Sequence, residues 1–371
     1  MNKIIVALLS LILMFGYFSF FGIRLLPLIF LLLIIIILTS IIFNSFIIEK
    51  DISLIIASVL TSIVFVFSIY TGSFDFFAGL LVFFTLSHWP LFVNIKNPHS
   101  LSNSVSAMYI YSGIVLSLGL FIQIFMFKFL GLSFGKIDLY GGKRLAFAFT
   151  WQDYSFLSLY FASCIPLVLS HNFKIKFFLK LVLIAFLIVA SLSTTARTGL
   201  ASLILTMVLY SALNIDKVIV NKKLYYACLI TILAYPLFVF LKKDFILIER
   251  EITVSSSGRT EGYAEGISYF TDNILLGSIF DPIRYRDTIG VIPHNLFIYL
   301  AVVGGLCLVV FTIFWLLTIM LKVYRLDSKE LVYSFIICLI GFQFIPSIFS
   351  GYFFSILISI IFINYKYRVN P

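Results

Sequence analysis

Arg197, Arg259 and His294 are the residues of this chain whose types and surroundings best suit chemistry. Arg259 lies in Ser257-Gly258-Arg259-Thr260-Glu261 and His294 in Pro293-His294-Asn295. Arg197 follows an apolar run directly, in Ser193-Thr194-Thr195-Ala196-Arg197-Thr198-Gly199. A guanidinium grips a phosphate through paired N–H donors and keeps its charge. A neutral imidazole can take a proton from a hydroxyl near neutral pH. An arginine, a carboxylate and a histidine at the edge of a membrane can together handle a phosphorylated lipid. Plainer readings stand beside these. Arg197 can be an arginine snorkelling to headgroups, Arg259 a solvated arginine paired with Glu261 or Glu265, and His294 a histidine that caps a helix.

The placement sharpens two of the three. Arg259 falls at an expected helix start, the end of the macrodipole that disfavours a cation. An anion held there by free N–H groups and the guanidinium would reverse that penalty. His294 follows Pro293 at the start of an apolar helix, as prolines at helix starts do. Of the four histidines it alone is expected at the outer face, since His88 lies toward the inner end of a span and His99 and His171 in inner connections. Arg144, in Gly141-Gly142-Lys143-Arg144, joins Gln152 and Asp153 in a second outer stretch that could line the same cavity. Glu261 and Asn295 are further candidates for substrate contact.

The elements that position these residues are membrane helices. Of the 371 residues, 62% are hydrophobic and 11% charged, far from the balance of a soluble domain. Runs such as Leu31 to Leu38 have no polar face. Strands of a barrel would alternate, so the expected fold is all-α: a polytopic helical bundle. Lys3 opens an apolar run without a small-residue cleavage site, so no cleavable signal peptide is expected. About twelve spans are expected, near Ile4–Phe21, Leu26–Ile48, Ile52–Tyr70, Phe76–Val93, Ser106–Phe127, Phe156–Ser170, Phe177–Ser193, Thr198–Leu213, Leu224–Leu241, Leu296–Leu321, Leu331–Phe349 and Tyr352–Asn364. The whole chain, 1–371, reads as one transmembrane domain.

The net charge of +10 follows from lysines and arginines at helix ends rather than from a nucleic-acid face. Their bias places both termini in the cytoplasm and residues 242–292 outside, as a polar loop. That loop mixes basic with acidic residues, so individual arginines rather than a basic patch must bind any anion. Within it, Gly258–Asp272 repeats Tyr263, Ile267, Phe270 and Ile274 at helical spacing and reads as an amphipathic helix on the membrane surface. Asn273 to Ser278, with Gly277, would end it. Cys164, Cys228, Cys307 and Cys338 all lie in apolar runs without metal-ligand spacing. Neither a disulfide nor a metal site nor a cofactor is expected.

Taken in order, these pieces resemble the O-antigen polymerase and O-antigen ligase superfamily of bacterial membrane glycosyltransferases. The carriers are Ala196-Arg197-Thr198-Gly199, Ser257-Gly258-Arg259, Leu275-Leu276-Gly277, and His294-Asn295 followed by an apolar helix containing Gly304-Gly305. They span roughly Trp151 to Leu306. Thr195-Ala196 stands where many relatives have a serine just before the arginine. The resemblance implies a glycosyltransferase C-like fold with a metal-independent active site on the periplasmic side of the inner membrane. The donor it implies is a glycan on undecaprenyl diphosphate. Arg197 and Arg259 would hold the diphosphate and His294 would serve the acceptor hydroxyl. The reading favoured is a polymerase of lipid-linked oligosaccharide repeat units. The alternatives are a ligase that passes the polymer to the lipid A core and, from another class, a lipid-linked oligosaccharide flippase. Implied partners are the undecaprenyl-diphosphate-linked oligosaccharide, membrane lipid and a chain-length regulator protein.

Overall fold

A computed structural model describes residues 2–20, 23–43, 51–93, 95, 97–140, 144–213, 259–290 and 292–369. Its helices are α1 (Asn2–Phe15), α2 (Leu25–Phe43), α3 (Ile52–Thr71), α4 (Asp75–Phe92), α5 (Pro98–Leu130), α6 (Tyr154–Leu169), α7 (Phe177–Ser193) and α8 (Thr198–Leu213). After the undescribed stretch come α9 (Arg259–Asp272), α10 (Pro282–Ile289), α11 (Leu296–Tyr324), α12 (Lys329–Gly341), a 3-10 turn (Phe342–Phe344) and α13 (Tyr352–Val369). The all-α expectation is met. Helices stand where the expected spans were placed, except that Ile4–Phe21 is helical only to Phe15, with a strand at Ser19–Phe20, and that Leu224–Leu241 lies outside the described residues. Four of them, α3, α4, α5 and α11, are long and apolar enough to cross a membrane. Others are shorter: α6 has 16 residues, or roughly 24 Å against a hydrocarbon core of about 30 Å. The expected span Leu331–Phe349 is helical only to Gly341; beyond the 3-10 turn it is irregular as far as Tyr352.

Two antiparallel strand pairs were not expected. One is β1 (Ser19–Phe20) with β2 (Ile23–Arg24). The other, β3 (Lys136–Tyr140) with β4 (Arg144–Phe149), carries a register shift at Lys136/Ile137. Its signal was in the sequence. Lys136-Ile137-Asp138-Leu139 alternates polar and apolar residues, and the Gly141-Gly142 dipeptide is a turn signal in sequence.

The described chain forms two compact units, each interleaved along the sequence. Unit 1 comprises Met1–Ile36, His99–Ile252 and Ser328–Gly341; unit 2 comprises Ile37–Pro98, Thr253–Asp327 and Phe342–Pro371. In unit 1, α6 is the central post, packed on α7, α8 and α12. Nearly every side chain from Phe156 to Val168 is buried, as befits a helix apolar all round. Hydroxyls stitch it to its neighbours. Tyr160 Oη donates to the Tyr109 carbonyl at 2.6 Å, Tyr109 Oη meets Ser163 Oγ at 2.7 Å, and Ser334 Oγ donates to the Ser163 carbonyl at 2.8 Å. In an apolar medium such interhelical bonds are each worth about 0.6–2 kcal/mol.

In unit 2, α4 packs on α13, and α11 on α3. The rings of Phe83, Phe84, Trp315 and Phe349 meet edge to face, the arrangement their quadrupoles favour. His88 is buried there. Trp315 Nε1 can only donate and reaches His88 Nε2 at 3.4 Å; the proton therefore sits on Nδ1, 3.0 Å from the Phe84 carbonyl. His88 is a satisfied core residue. Asp51 caps α3 by accepting from Ser53 N and also pairs with Lys322 at 3.1 Å, tying the start of α3 to the far end of α11.

Candidate functional site

Arg197 is exposed at a turn whose every neighbour is buried. The turn joins α7 to α8 and is built from side-chain hydroxyls. Thr194 Oγ1 donates to the Ser191 carbonyl at 2.8 Å and accepts from Ala196 N at 3.2 Å. Ser191 Oγ and Ser158 Oγ lie 2.8 Å apart, and Ser158 Oγ accepts from Gly199 N at 3.2 Å. Thr195 is left-handed, at φ 66°, a conformation that costs a β-branched residue about 1–3 kcal/mol. A side chain at Gly199 would run into the Ser158 carbonyl. The small residues around Arg197 therefore serve close helix packing, and the arginine is the one member of the turn that faces outward.

Arg259 is the first residue of α9; Ser257 and Gly258, the expected cap, lie outside the described residues. The helix ends at Asp272, as expected. One turn after Arg259, Tyr263 Oη donates to the His294 carbonyl at 2.9 Å. The first turns of α9 and the residues that lead into α11 are thus neighbours. Glu261 is exposed in the first turn of α9, where a carboxylate suits the dipole. Gly266 faces Ile298 and Pro293, while Ile267 and Ile274 remain exposed at 52% and 51%. The seat of α9 on α11 is accordingly made by its glycine face, and the isoleucines form a second, outward apolar edge.

His294 does not itself start the following helix. The cap of α11 is Asn295, whose Oδ1 accepts from Phe297 N at 3.0 Å and Ile298 N at 3.2 Å, while Nδ2 donates to the Gln343 carbonyl at 3.4 Å. Asparagine is among the best N-caps because its short side chain reaches both amides. Pro293 thus lies before the cap rather than at the first helical position. Asn295 has a structural task as the cap, and His294 beside it is exposed.

The Leu275-Leu276-Gly277 and Gly304-Gly305 elements prove to be one construction. Helix α11 breaks at Gly304 (φ −132°) and Gly305 (φ 60°). The strap, residues 274–280, lies against the break and mends it. Ser278 N and Phe280 N each donate at 2.8 Å, to the Val302 and Val303 carbonyls. Leu306 N donates to the Ile274 carbonyl at 2.7 Å, and Cys307 N to the Leu275 carbonyl at 3.3 Å. Cβ atoms at Gly277 or Gly305 would strike the opposing backbone. Interrupted backbone within a membrane is tolerated when a neighbouring segment satisfies it. From Leu306 to Tyr324 the helix runs roughly 28 Å, close to the thickness of a hydrocarbon core. Ile279 and Phe280 are both left-handed, at φ 58° and 60°, and Phe280 is buried against Phe67.

The strap leads into α10, capped by Asp281, which accepts from Ile283 N at 3.0 Å and from Ser73 Oγ at 3.3 Å. Tyr285 is buried with no partner for its hydroxyl among the described residues. Burial first, then the charges of Glu265 and Tyr269, push its pKa up to about 12.

Arg144 opens β4, and Asp153 caps α6 by accepting from Ser155 N at 2.6 Å. Gln152 lines a cavity in unit 1, together with Tyr17, Phe18, Gly135, Lys136, Phe149, Thr150 and Trp151, and neither Asp153, Arg197 nor His294 is among its described lining residues. Its aromatic members went unmarked in the sequence because they come from two distant stretches, and only the fold joins them. Among the described residues, no three of His, Cys, Asp or Glu gather where they could hold a metal ion. The chain matches no family model and no curated protein.

Proposed function

We propose that the protein is an O-antigen polymerase, a membrane glycosyltransferase that joins oligosaccharide repeat units carried on undecaprenyl diphosphate at the periplasmic face of the inner membrane. The observation that carries this reading is the built presentation of the residues singled out in the sequence. Arg197 is exposed on a turn of buried hydroxyls, and His294 lies beside the first turns of α9 while Asn295 caps the helix in its place. Rigidly held, outward-facing cationic and basic residues at helix termini suit a phosphorylated substrate. The exposed apolar edge of α9 suits a helix that rests on lipid.

In this reading Arg197 and Arg259 bind the diphosphate and stabilise the charge that grows on it as the glycosidic bond breaks. His294 accepts the proton of the attacking hydroxyl. Both termini face the cytoplasm and residues 242–292 the periplasm. Guanidinium groups carry the charge that a divalent cation would otherwise carry, so turnover by the purified chain continues in EDTA.

The deciding experiment is the lipopolysaccharide ladder of a deletion strain. Loss of a polymerase leaves a single repeat unit on the lipid A core. A core without any repeat unit assigns the ligase activity instead, and an unchanged ladder removes both.

A further inference from the structure

The cavity of unit 1 belongs to none of the elements that carry the proposed chemistry. It holds about 610 Å³, within the roughly 300–1,000 Å³ usual for small-molecule sites. It opens where α1 and α5 end and α6 begins, and its walls come from the residues after α1 and from the β3–β4 hairpin. Both walls are fixed from behind. Gln123 of α5 is fully buried. Its Nε2 donates to the Phe134 carbonyl at 2.7 Å and the Lys136 carbonyl at 3.2 Å, and its Oε1 accepts from Phe149 N at 3.0 Å. Thr150 Oγ1 donates to the Met14 carbonyl at 2.7 Å and Trp151 Nε1 to the Leu13 carbonyl at 2.9 Å. Phe149 is held left-handed, at φ 51°, a strain found where surroundings over-determine a residue for a purpose.

The lining combines aromatic rings with amide and ammonium groups. The Tyr17 and Trp151 rings are 4.8 Å apart, and Trp151 stacks in turn on Tyr160 at 5.3 Å. Gln152 at the rim offers donors and an acceptor in one plane. Lys136 is paired with Asp138 at 2.8 Å, so the rim offers polar contacts without a surplus of charge. An anion gains little from a neutralised lysine, and an acyl chain gains nothing from an amide. A neutral sugar ring suits both halves: its C–H face lies on an aromatic surface and its hydroxyls exchange hydrogen bonds with planar polar side chains.

We propose that this cavity is a saccharide-binding site, formed by Tyr17, Phe18 and Phe149 as the apolar walls, with Trp151 buried behind Tyr17, and by Gln152 and Lys136 as the polar rim. It deepens the function proposed above and rests on it for the arrival of a glycan at this end of unit 1. The test uses the full chain in lipid nanodiscs and saturation-transfer NMR with the methyl glycosides of glucose, galactose, mannose and N-acetylglucosamine. At least one glycoside should bind. Gln152→Ala and Tyr17→Ala should each weaken binding at least tenfold while the protein remains monodisperse. The wild-type chain separates the two readings: saccharide binding together with an unchanged lipopolysaccharide ladder in the deletion strain upholds the cavity and sinks the function. No signal from any of the four glycosides, or a signal that both cavity variants leave unchanged, overturns the site.

Discussion

The turn at residues 193–199 and the strap at residues 274–280 solve one problem in two ways. Each must hold irregular backbone, with left-handed residues, beside apolar helices. The turn is held by hydroxyls of Ser158, Ser191 and Thr194. The strap is held chiefly by amides and carbonyls that it exchanges with the break in α11. A backbone clasp depends on close approach, so its weak points are glycines. A hydroxyl clasp depends on side chains, so its weak points are serines and threonines in addition to the close approach at Gly199. The turn presents its arginine as a single exposed residue, while the strap serves a whole surface of short helices.

The largest expected effects fall on the two arginines proposed to bind the diphosphate. Arg197→Ala and Arg259→Ala should each abolish polymer while the protein still inserts, read as the ladder of complemented deletion strains. Arg→Lys should restore little, because an ammonium lacks the planar fork. If only Arg259→Ala is null, the turn in unit 1 is a packing device and nothing more. Next comes His294. His294→Ala should lower turnover by about two to four orders of magnitude. His294→Gln keeps a hydrogen-bonding group but accepts no proton. Near-normal turnover by Gln would make His294 an orienting residue.

Smaller effects test the clasps themselves. Gly305→Ala combines a left-handed backbone with a clash against the strap and should cost about 1–3 kcal/mol or more, seen as a lowered Tm in detergent. Ser158→Ala should cost about 1–2 kcal/mol, and it should lower activity through Arg197 without changing its sensitivity to EDTA. The smallest effect belongs to Tyr285→Phe. Its hydroxyl is buried without a partner among the described residues, so removing it should leave Tm unchanged or slightly raised. A clear fall in Tm would show that the hydroxyl has work in the folded chain.

What was legible in the sequence was whatever depends on composition and period. The apolar runs announced the helices, and Gly258–Asp272 was visible from four residues at helical spacing. The strand pair at Lys136–Tyr140 and Arg144–Phe149 was hidden because its alternation is short and lies inside a chain read for helices. The break in α11 was half visible. Gly304-Gly305 marked it, but a glycine pair says nothing of which segment comes to lie against it. The role of Asn295 was hidden by its neighbour: Pro293 invited a helix start at His294, and the reach of the Asn295 side chain moved that start one turn position along. The cavity of unit 1 was invisible, since Tyr17 and Trp151 meet only after α1 and α6 have packed, and Gln123 reads as a stray polar residue until its three partners are in place.

The broken helix also sets an order of manufacture. Residues 274–280 leave the ribosome before Leu296–Tyr324 does. When α11 enters the bilayer, the amides and carbonyls that will cover Val302, Val303, Leu306 and Cys307 have already been made. Had the same strap followed the helix in the chain, the open backbone would have waited in lipid for its cover, at a cost of several kcal/mol per bare group. Moving the strap downstream by circular permutation would keep every contact of the finished protein and remove only its head start.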